Sequence, residues 1–267
     1  MTPVQAFVND GVVVFRRNMI KVLRVPDILF FTLVQPIMFV LLFAYVFGGA
    51  IDLKATSYRE FLIAGIFVQT VIFGATFTGM GVADDMQKGV IDRFRSLPMA
   101  RSAVLVGRTL SDIAINVLSL VVMALTGLVV GWRTHTGPFK VVGGFLLILL
   151  FAYTFSWVMA FVGLRVKSPE VVNNASFMVI FPLTFVASTF VPLETLPGPL
   201  KVFAEWNPVS TATKAARDAF GNGGGVAAPS HAWSQTHPVV YTLLAGAAVL
   251  SVFVPLAVRE YQRAATR

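Results

Sequence analysis

Six stretches of this chain contain no Asp, Glu, Lys, Arg or His: Ile28–Ile51, Phe61–Ala83, Ile113–Trp132, Val141–Leu164, Val171–Leu193 and Val239–Val258. Each is close to the roughly 20 residues with which an α-helix crosses about 30 Å of hydrocarbon. Between them they take up most of the sequence and leave little from which to build a water-soluble core. Charged residues make up 13% of the chain, against about 25% in a typical soluble domain. The expectation is an all-α integral membrane protein with six transmembrane helices.

An even number of spans puts both termini on one side, and the basic residues divide unequally between the sides. Arg16, Arg17, Lys21, Arg24, Lys88, Arg93, Arg95, Arg101, Arg108, Arg165, Lys167, Arg259, Arg263 and Arg267 fall on the terminal side; Lys54, Arg59, Arg133, Lys140, Lys201, Lys214 and Arg217 fall on the other. The positive-inside rule makes the richer side, with both termini, cytoplasmic, in a plasma membrane. The net charge of +8 is read as this orientation and not as a nucleic-acid partner. Residues 1–26 carry charges and lack a small-residue cleavage site, so the first span is expected to act as its own insertion signal. Within them Val4, Phe7, Val8, Gly11, Val12, Phe15, Met19 and Val22 form an apolar helical stripe, with Asp10, Arg17, Lys21 and Arg24 opposite. This predicts a cytoplasmic interfacial amphipathic helix, its basic face toward anionic headgroups, ended by Pro26. Residues 27–267 read as a single transmembrane domain.

Between the second and third spans lies DDMQKGVIDRFRSLPMARSAVLVGR, Asp84 to Arg108. Met86, Val90, Phe94 and Leu97 recur at helical spacing, with Asp85, Lys88, Asp92 and Arg95 on another face, where Lys88 can meet Asp92. Ser96-Leu97-Pro98 ends that helix, because a proline keeps its predecessor out of the helical region. Its charges would each cost roughly 2.5 to 3.5 kcal/mol at the centre of a span, so it stays outside the lipid. Amphipathicity alone names no partner, and on the pattern alone a solvated or headgroup-lying helix is commoner than a docking element. The run Gly89-Val90-Ile91-Asp92-Arg93-Phe94-Arg95-Ser96-Leu97-Pro98-Met99, followed by Arg101-Ser102 and Gly107-Arg108, resembles the cytoplasmic signature of type-2 ABC exporter permeases, and within them the daunorubicin-resistance branch of actinobacteria. Asp84 or Asp85 and Gly89-Val90 stand where the wider family has Glu and Gly-Thr. The resemblance implies that 84–101 is a coupling helix fitted into a separate ATPase subunit, through Asp84, Asp85, Met86, Lys88, Gly89, Asp92, Arg93, Phe94, Arg95, Leu97 and Pro98. It further implies an assembly of two permease copies, as a homodimer, with two ATPase subunits that hold the ATP and Mg. The cargo it implies is amphipathic drugs or polyketide-like compounds; the same machinery in other branches exports lipids or glycans.

Residues 194–238 are the largest external segment, with helical periodicity broken by Pro197, Pro199 and Pro208 and a glycine-rich end at Gly221–Gly225. Phe190-Val191-Pro192, Asn207-Pro208 and Arg217 resemble the same branch, in which short external helices dip into the membrane; the residues themselves support an external loop.

The chain has no G-x-x-x-x-G-K-[ST], H-E-x-x-H or G-x-S-x-G, and no cysteine. A permease without ATPase, metal or nucleophile chemistry, binding no cofactor itself, is therefore expected. His135, His231 and His237 read as solvated loop residues. A secondary transporter, the rival class, keeps ionisable groups inside its spans, and the six runs have none. Their polar content is uncharged: Gln35, Gln69, Thr70, Asn116, Ser119, Asn173, Asn174, Ser188 and Thr189, among 24 phenylalanines. Such groups join helices to one another or meet cargo, and Gly127 and Gly131 form a GxxxG in the third span. A pathway for amphipathic molecules would be aromatic with a few hydrogen-bonding groups; Phe31, Gln35, Phe39, Phe73, Phe77, Phe177 and Phe181 are the candidates.

Overall fold

The computed structural model describes residues 3–24, 26–46, 57–91, 101–166, 168–223 and 230–263. Among these residues the chain is helical throughout apart from its turns. The helices are α1 (Pro3–Arg24), α2 (Pro26–Val46), α3 (Tyr58–Gln87), α4 (Arg101–Val130), α5 (Pro138–Arg165), α6 (Pro169–Phe185), α7 (Gly198–Trp206), α8 (Pro208–Phe220), α9 (Trp233–Thr236) and α10 (Pro238–Arg263), with a 3-10 turn at Leu193–Thr195. Proline opens many of them, as its fixed φ and missing N–H suit the first helical position. Ser168 caps α6 by accepting from the Val171 N–H, and Asn207 caps α8 by accepting from the Val209 N–H at 2.9 Å.

Among the described residues four helices are long and apolar enough to cross a bilayer: Tyr58–Gln87, Ser102–Val130, Pro138–Arg165 and Pro238–Arg263. The two other expected spans are shorter. The apolar part of α2 is Leu33–Val46, and α6 has 17 residues. The run Val171–Leu193 is not one helix: it stops at Phe185, and residues 186–190 turn back over α3. Gly65 makes that crossing possible, since a Cβ there would overlap the Thr189 carbonyl. The third span differs in the opposite sense. Its helix begins at Arg101, well before Ile113, and carries Arg108 and Asp112 inside it.

Helix α3 is the buried centre, and its most extensive partner is α5. At their crossing a Cβ on Gly163 would overlap the Gly79 carbonyl, and one on Gly79 would stand 2.8 Å from the Met159 carbonyl oxygen. Lipid is as apolar as the side chains it replaces, so close backbone packing of this kind is what holds two spans together. The GxxxG of α4 is not such a contact. Gly127 packs on Ile63, whereas Gly131, at φ +105°, ends the helix in a backbone conformation that favours glycine.

At one end of the bundle Phe67, Trp132, Phe145 and Phe220 form an aromatic knot, with Trp132 and Phe220 edge to face at 5.4 Å. At the other end Val14 of α1, Val82, Leu105, Trp157 and Tyr261 of α10 form a second core, so the described N-terminal helix and the end of the last helix lie together. Helix α1 packs on α4, where a Cβ on Gly107 would stand 2.5 Å from the Gly11 carbonyl oxygen. The expectation for its basic face is corrected here. Arg17 and Lys21 turn inward, to Asp85 at 2.6 Å and Asp84 at 3.0 Å, while Val8, Val12, Ile20 and Leu23 are exposed.

Candidate functional site

A cavity of about 500 Å³ runs beside α3, closed in by α1, α2, α4 and α6. The residues that α3 gives it run from Ile66 to Gln87, a length of about 30 Å at 1.5 Å per residue. Its volume is in the range of about 300 to 1,000 Å³ usual for small-molecule sites. One wall is aromatic: Phe39 from α2, Phe73 and Phe77 from α3, and Phe177, Phe181 and Phe185 from α6. The Phe73 and Phe177 rings lie 5.3 Å apart, and those of Phe181 and Phe185 stack at 4.0 Å. The sequence candidates Gln35, Phe39, Phe73, Phe77, Phe177 and Phe181 all line this cavity. The Phe31 side chain lies outside the described residues.

The facing wall is polar, and the sequence reading missed its centre. Arg108, Asp112, Asn116 and Ser119 occupy one face of α4, four and three residues apart, and meet small residues of α3. A Cβ on Gly81 would overlap the Arg108 guanidinium, and one on Gly74 would stand 2.7 Å from Asn116 Oδ1. Between these two contacts the Thr78 hydroxyl donates to Asp112 Oδ2 at 2.6 Å. Arg108 Nη2 donates to the Phe77 carbonyl at 3.0 Å, and its Nε is 3.8 Å from Asp112. Glycine at 74 and 81 is thus what lets a row of long polar side chains lie between two spans. Ionisable groups therefore lie inside the bundle beside α3, Asp112 buried and Arg108 half-buried, which corrects the expectation of spans free of them. The charge-free runs concealed this, because Arg108 and Asp112 precede the first residue of the third run. The i, i+4, i+8 recurrence of Arg108, Asp112 and Asn116 was the available signal.

At the mouth nearer the termini stand Lys21, Asp84, Gln87 and Glu170. Here the expected coupling helix is redrawn. Asp84, Asp85 and Met86 are the last turn of α3, which continues unbroken to Gln87, and Lys88-Gly89 is the turn after it, with Gly89 at φ +62°. The helix can carry two carboxylates at its end because α1 supplies their cations. Lys88 pairs with Asp84 at 2.7 Å, and this carboxylate, hydrogen-bonded to it, raises the Lys88 ammonium above its usual value. Val90 and Ile91 begin another helical turn, with Ile91 buried in the second core. Asp92, Arg93, Phe94, Arg95, Leu97 and Pro98 lie outside the described residues.

The expected external loop is also redrawn. Helix α8 packs between α3, α5 and α10, and buries Val209, Ala212, Ala216 and Phe220. Arg217 is buried with them. Its Nε donates to the Phe61 carbonyl at 2.8 Å, Nη2 donates to the Thr189 carbonyl at 3.0 Å, and the guanidinium lies 3.4 Å from the centre of the Phe61 ring. Burial lowers the Arg217 guanidinium to about 9, so it stays charged at neutral pH. Ser188, read above only as a polar span residue, accepts from Arg217 Nη1 at 3.4 Å, and its N–H donates to the Ser210 hydroxyl oxygen at 3.1 Å.

Residues 11–220 match the ABC-2 type transporter family. The chain is 34% identical over 246 residues to a daunorubicin resistance ABC transporter permease protein, DrrB1, of Streptomyces coeruleorubidus, covering 92% of this chain and 83% of that one. It is 27% identical over 235 residues to a probable doxorubicin resistance ABC transporter permease protein, DrrC, of Mycobacterium tuberculosis, covering 88% and 81%. A putative transport permease, ycf38, of Pyropia yezoensis is 25% identical over 207 residues, covering 75% and 70%. With most of its length in the family match and four helices able to cross a bilayer, this multi-pass membrane chain belongs to the ABC-2 type transporter family.

Proposed function

We propose that this chain is the membrane permease of an ATP-driven type-2 ABC exporter that moves amphipathic, drug-like compounds out of the cell. The observation that carries this reading is the cavity itself, which combines an aromatic wall with a hydrogen-bonding wall along the helix that connects the two ends of the bundle. Its volume suits a fused-ring drug better than a glycan or a two-chain lipid, and relatives named for daunorubicin and doxorubicin resistance support the same class of cargo. With Arg108 half-buried and Asp112 buried beside α3, ionisable groups in the bundle do not separate an exporter of this kind from a secondary transporter; family membership carries that distinction. The permease works as a pair of copies with two separate ATPase subunits, has α2 and α6 as its remaining membrane crossings, and keeps both termini in the cytoplasm. A reporter fused after Arg267 is expected to be cytoplasmic and one inserted at Gly224 external; finding both on one side would overturn the six-span count.

The decisive experiment reconstitutes the chain with and without an ATPase subunit. The chain alone is expected to hydrolyse no ATP and move no drug, and the pair to do both; uphill drug movement by the single chain in a proton gradient would favour a secondary transporter. The segment 84–101 is the proposed contact with the ATPase, centred on Phe94, whose pattern with Val90 and Leu97 leaves an apolar face to be covered. In a protein groove an aromatic anchor is worth about 2 kcal/mol or more, some thirtyfold in affinity. Phe94→Ala is therefore expected to lose most of the co-purifying ATPase subunit while inserting normally. Full recovery of the subunit would show that this segment is not the contact.

A further inference from the structure

The charged side chains of the cavity stand toward its mouth, and they are matched within the chain. Lys21 pairs with Asp84, Arg108 lies beside Asp112, and Glu170 accepts the Ser168 hydroxyl. Helices α3 and α4 run antiparallel, with Gly81 against Arg108, Thr78 against Asp112 and Gly74 against Asn116. From Asn116 on, away from the mouth, no lining residue carries a charge. This deep half holds uncharged polar groups instead, and they are not matched. Gln69, Asn116 and Ser119 line it and are only 5%, 4% and 2% exposed. None of the three has a hydrogen-bond partner among the described residues. Ser111 and Thr126 of the same helix bond back to the carbonyl four residues earlier, and Ser119 does not. Of their polar atoms only Gln69 Oε1 is sealed off, so the Asn116 carboxamide, the Ser119 hydroxyl and the Gln69 amide nitrogen open into the cavity. Continuing the register of α3 on α4, Ser119 comes level with the turn that carries Gln69. Gly74, whose missing side chain leaves room for Asn116, follows Phe73 directly, and the Phe73 ring lies 5.3 Å from that of Phe177.

We infer that the deep half of the cavity is a neutral recognition subsite, in which Asn116, with Gln69 and Ser119, determines specificity for cargo whose flat aromatic body carries uncharged carbonyl, amide or hydroxyl groups on its edge. The rings lie against Phe73 and Phe177, and the polar edge meets the amides and the hydroxyl of the facing wall. A carboxamide both donates and accepts, so adjacent carbonyl and hydroxyl groups on one edge are matched there. An ionised group of either sign would lose its water at that point and find no counter-charge. This rests on the cavity being the cargo site of the proposed exporter, and adds which part of a cargo is read in it.

The full chain is placed in nanodiscs of phosphatidylcholine, and binding of 2-naphthamide, 2-isopropylnaphthalene, 2-naphthoate and 2-naphthylmethylamine is measured against empty discs. The first two are close in shape and differ in hydrogen bonding, and the last two carry a charge of either sign. Naphthamide is expected to bind about tenfold or more tightly than either charged probe. Each probe is then compared with itself across variants, so that its partition into lipid cancels. Asn116→Leu, which keeps the approximate shape, is expected to weaken naphthamide about tenfold and to leave isopropylnaphthalene unchanged or tighter. A residue that only joined two helices would move both probes alike. If Asn116→Leu does not give monodisperse protein, Ser119→Ala carries the same test, with a severalfold loss expected for naphthamide alone. Equal losses for the two neutral probes, no loss in either variant, or preference for the naphthoate or the amine overturns the inference and leaves the export reading standing. Absence of binding by all four probes overturns both, because the cavity is then not a ligand site.

Discussion

Gly163→Ala is expected to destabilise the folded chain by about 2 to 3 kcal/mol, and Gly163→Val to leave little protein recoverable in monodisperse form. The glycine stands where α5 crosses α3, and any Cβ there meets the Gly79 backbone carbonyl rather than the end of a flexible side chain. Nothing nearby can yield except the helices, which would have to separate along their most extensive contact. The control is Gly143, in the same helix, where an added Cβ meets nothing within 4 Å. Both substitutions gain the same helix propensity, about 1 kcal/mol for alanine over glycine, so packing alone decides their difference. Thermal unfolding in detergent should show Gly143→Ala unchanged or slightly higher, and Gly163→Ala lower by at least about 4 °C for a chain of this size. Equal midpoints for the two would show that α3 and α5 are not held in backbone contact.

The second large effect is expected at Arg217, and it should be local. The guanidinium joins the Phe61 carbonyl and ring on α3, the Thr189 carbonyl and Ser188 in the turn after α6, and its own helix α8. Two contributions oppose each other. Keeping a cation out of water costs free energy, which is why burial holds the group down near 9. Against this stand charge-assisted hydrogen bonds, worth about 1.5 to 3 kcal/mol each, and a dehydrated cation–π contact of about 2 kcal/mol. Arg217→Ala also leaves the Thr189 carbonyl without its donor, so the net expectation is a loss of about 3 kcal/mol. Arg217→Lys keeps the charge but gives up the planar fork that serves three segments together, and should recover less than half of that loss. The loss should appear as faster hydrogen exchange in residues 186–220 and as trypsin cleavage at Lys201 and Lys214 from outside, with the ion pairs of Arg17 and Lys21 unaffected. Unchanged protection of that segment would show that Arg217 is not what fixes α8 between the spans.

What could be read from the sequence followed from what the bilayer demands. Apolar length gave the positions of α2, α3, α5 and α10, and the expectation of an aromatic pathway picked out Phe39, Phe73, Phe77, Phe177 and Phe181, which line one cavity. The errors came where one residue's burial depends on another far away in the chain. Arg108 and Asp112 are admissible inside the bundle because Gly81 and Thr78 receive them, and a scan for charge-free windows cannot register such compensation. Asp84 and Asp85 suggested an exposed helix because their partners, Lys21 and Arg17, are more than sixty residues earlier. Helix α8 looked like part of a loop, and not like a packed helix, for the same reason, since its arginine is satisfied by backbone carbonyls that no sequence pattern reveals.

The glycine crossing also divides α3 into two unequal arms. From Gln87 to Gly79 is about 12 Å along the axis, and from Gly79 to Phe61 about 27 Å, at 1.5 Å per residue. The helix carries no proline and is unbroken over that distance. A rod pivoting at the point where it touches α5 is a lever whose far arm is about twice its near arm. A push of 1 Å at the Asp84–Lys88 end would therefore arrive as a swing of about 2 Å, in the opposite direction, where Phe61 meets Arg217.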